Sequence, residues 1–201
     1  MKIIELILDE TQDIMGIDAI SIVENPAIEE NFLALKSDNG TNNVSIKSDE
    51  IKLAEINKEK KILMGALLVP NKPIYRNGPE GDYYIYFSKD TVLKASQLYL
   101  RNGKQNNSTL EHQHELNGLT LVESWIVEDE KFDKSRKYGL NVPVGTWMGS
   151  VKVNNDDVWN EYVKSGKVKG FSIEGYFVDK MQNKTEQKAQ ALLSKIKNIL
   201  S

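Results

Sequence analysis

Residues 167–177 read KVKGFSIEGYF, with one hydroxyl set between two glycines among apolar and aromatic neighbours. On an extended backbone, Phe171 and Ile173 point to one face while Ser172 and Glu174 point to the other, so this stretch reads as a half-buried strand. Its apolar side anchors in a core. Its polar side presents Ser172 to a groove or to solvent, and Gly170 and Gly175 leave space for a substrate backbone to approach. Two readings of Ser172 stay open at this point: a nucleophile, or the polar face of a sheet.

Working outward, most of the chain repeats the strand pattern. KIIELIL (2–8), IDAISIVEN (17–25), the run KKILMGALLVPNKPIY (60–75) closed by Pro70 and Pro73, and EGDYYIYF (80–87) all read as extended. GLTLVESWIVED (118–129) and GTWMGSVKVN (145–154) follow. Two helices interrupt them. Ser88 caps one that runs to about Arg101, with Val92, Ala95, Leu98 and Tyr99 on one side and Asn102-Gly103 as its stop. Asn155 or Asp156 caps the second, which carries Val158, Trp159, Tyr162 and Val163 and ends at Gly166. A third is appended, where Ala189, Leu192, Leu193, Ile196, Ile199 and Leu200 make an amphipathic stripe behind a polar stretch that starts near Met181. That stripe needs a partner surface, on its own domain or on another chain. Strands first, with helices inserted and appended, predict a mixed, mainly β (α+β) class and a closed or strongly curved sheet rather than an alternating βαβ layout.

The 201 residues suit one well-packed domain, read here as 1–180 with a polar loop or linker at 37–60, followed by the tail at 181–201. With 26 basic and 29 acidic residues spread along the chain, the net charge is −3 and no basic patch presents itself for nucleic acid. No apolar run reaches the length of a membrane span, and MKIIELILDE meets acid too soon for a signal peptide. The expectation is a soluble, intracellular protein with no membrane partner.

The absence of cysteine removes disulfides, thiolate catalysis and cysteine-ligated zinc together. Only two histidines exist, both within TLEHQHELNG (109–118), so any imidazole base must be His112 or His114. If that segment is extended, the two rings share a face, a spacing that also suits a metal; a metal-dependent hydrolase would need a third and fourth ligand. Histidines with no chemical task are the plain alternative. Glu123 interrupts LTLVESWIV, where a carboxylate is costly unless something pairs with it. Orienting a histidine would offset that cost, and Glu111 and Glu174 are its rivals for the role. An outward-facing strand position also accommodates Glu123. A backbone amide is the default oxyanion donor. No cofactor is expected.

At these residues the chain resembles a known family. TLEHQHELNGLTLVESWIVED, PVGTWMGSVKVNNDDVWNEYVKSG and VKGFSIEGYF, in that order, are similar to the prohead proteases of tailed bacteriophages, serine peptidases that share the assemblin fold of herpesvirus proteases. GIDAISIVENPAIEENF and ILMGALLVPNKPIYR resemble the N-terminal part of the same family. The resemblance implies a compact β-barrel flanked by helices, a nucleophile at Ser172 and a base at His112, with His114 a bystander. The third member in the herpesvirus relatives is a later histidine; here none follows residue 114, so a carboxylate substitutes, and Glu123 is the choice made on the charge argument above. The implied substrates and partners are phage scaffold and major capsid protein segments, and possible self-cleavage, inside an assembling prohead in the host cytoplasm. A catalytically inactive virion structural or scaffold-binding module of the same fold is the rival from another class.

Overall fold

The structure, a computed structural model, describes residues 2–9, 15–35, 60–79 and 81–200, with side chains to 194. The expected linker at 37–60 lies, except for Lys60, outside the described residues. In chain order the elements are β1 (Lys2–Ile7), β2 (Gly16–Val23), β3 (Leu33–Leu35), β4 (Ile62–Leu68), β5 (Ile74–Gly78), β6 (Gly81–Phe87) and α1 (Lys89–Arg101). There follow β7 (Ser108–Leu110), β8 (His114–Leu116), β9 (Leu119–Ile126), α2 (Lys134–Lys137), β10 (Trp147–Val153) and α3 (Asp156–Val158), which continues as a π-turn over Trp159–Val163. The described chain ends with β11 (Gly170–Tyr176), β12 (Val178–Asp179) and α4 (Lys180–Leu200).

The class is mixed α+β and mainly strands. Three four-stranded sheets form, ordered β12-β1-β6-β5, β3-β4-β10-β9 and β11-β2-β7-β8. These sheets are open, and among the described residues no strand pairing closes a barrel. The second and third sheets are nevertheless stitched together. Asn31 bridges to Gly170, Phe32 N donates to Lys169 O at 2.8 Å, and Leu121 N donates to Gln105 O at 2.8 Å.

Apolar residues explain how the sheets meet. Phe171 on β11 is fully buried and lies with its ring centroid 5.1 Å from that of Phe32, over Gly65 of β4. A Cβ at Gly65 would stand 2.9 Å from Phe32 Cβ and 3.3 Å from Phe171 Cδ2, so only glycine lets β4 pass this close beneath β11. On the other side Tyr99 of α1 packs edge-on against Trp147 of β10, with centroids 5.6 Å apart and neither ring exposed. β11 and β7 are held relative to each other by their common pairing with β2, and this dense packing seats β11 against β4 and α1 against β10.

The two inserted helices begin at the expected caps, whereas the tail helix starts at Lys180 and takes in the polar stretch expected to precede it. Ser88 Oγ accepts from Thr91 N, and Asn155 Oδ1 accepts from Val158 N at 3.1 Å. The second helix departs from regular α geometry after one turn, giving the π-turn that buries Trp159 and Val163. The tail helix α4 is anchored at its start, where Lys180 Nζ donates to Glu5 Oε2 at 2.7 Å and Asn183 Nδ2 donates to Asp9 Oδ2 at 2.8 Å. Further along, Leu192 and Leu193 stand exposed, so the described part of the stripe is not seated on this domain.

Candidate active site

The site starts from strand register. In β11 and β2 Ser172 lies opposite Ser21, and in β2 and β7 Ser21 lies opposite Thr109, so one row of hydroxyl residues crosses three strands. Directly paired residues share a face, and Glu174, two positions after Ser172, shares it as well. Contacts agree with that reading. The Thr109 hydroxyl donates to Glu174 Oε1. All three hydroxyl residues are buried, with Ser172 retaining 8% exposure.

The segment carrying the histidines is a tight hairpin turn, so the expectation that both rings project from one extended face does not hold. Gln113 N donates to Leu110 O at 3.0 Å, and the two central residues, Glu111 and His112, have φ of 52° and 57°. Two successive left-handed residues make a type I′ turn, which glycine and asparagine adopt easily and Glu or His does not. Local bonds hold the strained backbone. Glu111 Oε1 accepts from Glu24 N at 2.6 Å, Glu111 N donates to Ile22 O at 3.1 Å, and His112 N donates to Ser21 Oγ at 3.1 Å. Strain kept in place by this many partners is characteristic of residues that must stand in one position.

The turn delivers His112 to Glu174. Its Nδ1 lies 3.1 Å from Glu174 Oε1, with both side chains partly exposed. A carboxylate only accepts, so Nδ1 is the protonated nitrogen in this pair and Nε2 is left as an acceptor. Glu174 and Ser172 are two residues apart on one strand, roughly 6.6 Å between their Cα atoms, so the imidazole is tied to the next residue of the row that carries the hydroxyl; among the described residues no hydrogen bond joins His112 to Ser172 itself.

Glu123, expected to orient the histidine, is engaged elsewhere. It sits on β9 in the neighbouring sheet, where both its carboxylate oxygens accept from Lys134 Nζ at 2.6 Å and Oε2 also accepts from Ser150 Oγ at 2.5 Å. Lys134 first, then Ser150, hold its carboxyl below the usual range. The groups that offset its charge are thus a cation and a hydroxyl, not an imidazole. A bulge opposite Ser150 and Val151 throws Val122 outward, so Val122 and Glu123 are both exposed in succession.

His114 lies on β8 opposite Leu110 and is exposed. Among the described residues no group of three or more histidine, aspartate or glutamate side chains is placed to hold a metal ion. The glycines beside Ser172 admit the chain itself rather than a substrate. A Cβ at Gly170 would fall 2.6 Å from Glu30 O and from Pro26 Cγ, and one at Gly175 would overlap Gly16 O.

Residues 50–181 match the model of a family described as "Putative phage serine protease XkdF". The chain belongs to this phage serine protease family. Ser172, His112, Glu174 and Glu123 all fall within the matched residues, while Ser21 lies before them. No curated protein and no solved structure matches the chain. Within the matched residues, β11 carries a buried hydroxyl at Ser172 and a carboxylate at Glu174, and the turn after β7 bonds the His112 imidazole to that carboxylate. No helix among the described residues is long and apolar enough to cross a membrane.

The sequence placed Ser172 and His112 as candidates and carried Glu174 only as a rival. The Ser21 and Thr109 contributions were missed. Their visible signals are the serine that breaks the aliphatic run at the end of IDAISIV and the Ser-Thr pair that opens STL.

Proposed function

We propose that this protein is a prohead-maturation serine endopeptidase, which cuts scaffold and capsid protein segments through an acyl-enzyme on Ser172. The 3.1 Å contact between His112 Nδ1 and Glu174 Oε1 carries this reading, because it sets the tautomer a general base needs and does so beside the candidate nucleophile. Nε2 of His112 takes the Ser172 proton as Oγ attacks the peptide carbonyl, and returns it to the leaving amine. Water deprotonated by the same nitrogen then hydrolyses the ester. Glu174 holds the ring and offsets the imidazolium charge; Thr109, bonded to the same carboxylate oxygen, holds Glu174. A backbone amide near the edge of β11 is the expected oxyanion donor.

An assemblin-like curled sheet is the fold we assign to this function. It is supported by the bridges that join the second and third sheets at Asn31, Phe32 and Leu121. Work inside an assembling prohead in the host cytoplasm is part of the proposal, and membership of a phage protease family supports it.

Co-expression with the scaffold and major capsid proteins of the same phage tests it, with intact mass of every chain as the readout. Wild type is expected to shorten scaffold or capsid chains, and Ser172→Ala to leave them whole while folding normally. Cleavage that persists in Ser172→Ala rejects the nucleophile; uncut partners with wild type favour an inactive structural module.

A further inference from the structure

Two sheet edges border the hollow beside Ser172. β11 is the last strand of its sheet, its outer side bridged only at Gly170 by Asn31 among the described residues, and β5 is the last strand of the first sheet. A recess of about 200 Å3 is touched by Ser172, Ile173 and Gly175 from β11 and by Ile74 and Arg76 from β5. Consecutive strand residues point to opposite faces, so a recess touched by both Ser172 and Ile173 runs along the strand's edge. Its floor is apolar, with Leu67, Ile85 and Phe87. A larger groove of about 630 Å3, which reaches Glu24 and Lys169, lies beside it; Ala27, Ile74 and Arg76 line both spaces.

Arg76 is out of place on this surface unless a ligand brings its partner. It lies two residues after Ile74, which is only 4% exposed, and therefore on the buried side of β5. The other charges of the larger groove are matched: Glu24 with Lys169 at 3.6 Å, and Glu29 with Lys72 at 3.6 Å. Arg76 Nη1 donates to Tyr75 O at 2.9 Å, and among the described residues no carboxylate pairs with it. Burial works against its charge, lowering its pKa, with only the Tyr83 phenol opposite acting the other way. A half-buried guanidinium without an anion is costly, and that cost is recovered when a carboxylate arrives with a ligand.

We propose that Arg76 selects the substrate: a peptide lies extended along the outer edge of β11, with one large apolar side chain in the recess and an aspartate or glutamate side chain on the Arg76 guanidinium. Main-chain bonds to an open strand edge give such a peptide its register, and the two side-chain contacts give it identity. This rests on the peptidase reading of the same site.

The test uses one pool of random decapeptides in two arms. Products cut by wild type are sequenced by mass spectrometry, and the same pool is captured on full-length Ser172→Ala, which reads binding without turnover. Both arms are expected to enrich Asp or Glu at one fixed position by about tenfold, the scale of one partly desolvated ion pair. Adding Arg76→Gln should bring that enrichment to about one, and Arg76→Glu should replace it with Lys or Arg. Each ratio compares peptides on one protein, so a lower folded fraction does not imitate the result. No acidic enrichment, or enrichment that survives Arg76→Gln, overturns the assignment. Acidic capture without any cleavage upholds Arg76 and removes the peptidase; cleavage without acidic preference does the reverse.

Discussion

His112 and Glu174, 62 positions apart in the chain, meet at 3.1 Å because a strained hairpin turn overhangs the strand that also carries Ser172. A carboxylate in that position raises the population of the right tautomer and stabilises the imidazolium formed during attack. Glu174→Gln is therefore expected to lower kcat by roughly 10²–10⁴-fold with little change in KM. Steady-state kinetics on any cleaved peptide checks this. An unchanged kcat would remove Glu174 from the mechanism, and a loss confined to KM would make it a binding residue.

Glu123→Gln should leave kcat within about twofold, since its partners are Lys134 and Ser150. Its effect belongs to stability. Those partners hold the folded-state carboxyl below its ordinary value, so the stabilisation is full above the unfolded-state pKa and is lost as pH falls through the folded one. The side chain is 45% exposed, which limits the effect to about 1 kcal/mol or less after screening. Thermal unfolding of wild type and Glu123→Gln should differ by a few degrees near neutral pH and converge in acid. A gap that widens in acid contradicts the linkage.

The turn offers a sharper test of stored strain. His112 has φ 57°, a conformation that costs a side-chain-bearing residue about 1 kcal/mol relative to glycine. Both His112→Gly and His112→Ala should lose activity, but the glycine variant should be the more stable by about that amount in denaturant titration. Equal stabilities would mean that the turn is not held left-handed in solution.

Ser21→Ala removes a fully buried hydroxyl that accepts from the His112 amide and donates to Thr109 O. Leaving those groups unpaired is expected to cost about 1–3 kcal/mol and to lower kcat as the turn loosens. Unfolding and turnover measured on one preparation check both parts; wild-type values in each would dismiss Ser21 as a support.

How much of this was legible depended on whether a feature was local. The cap at Ser88 and the aliphatic runs of β2 and β4 are fixed by neighbouring residues, and the sequence shows them; the alternation expected around Ser172 is not what forms, since Ser172 is buried with Phe171 while Ile173 is only half-buried. The partner of His112 was not local. Glu123 looked costly in its strand because Lys134 and Ser150 are 11 and 27 positions away, and only folding brings them to it. The hairpin at Glu111-His112 lacks the Asn-Gly chemistry that announces a type I′ turn, since its strain is offset by Ser21 and Glu24 far earlier in the chain. Gly170 and Gly175 do not leave space for a substrate backbone as the sequence suggested, because Pro26 and Glu30 crowd the first and Gly16 the second.

The central claim is that Ser172 is a nucleophile activated by His112, and labelling with a fluorophosphonate reagent, followed by intact mass and peptide mapping, tests it most directly. The account predicts one adduct, on Ser172, whose formation is abolished in His112→Ala, slowed in Glu174→Gln and unchanged in Glu123→Gln. An adduct on another serine, or labelling of Ser172 that is indifferent to His112, would contradict it.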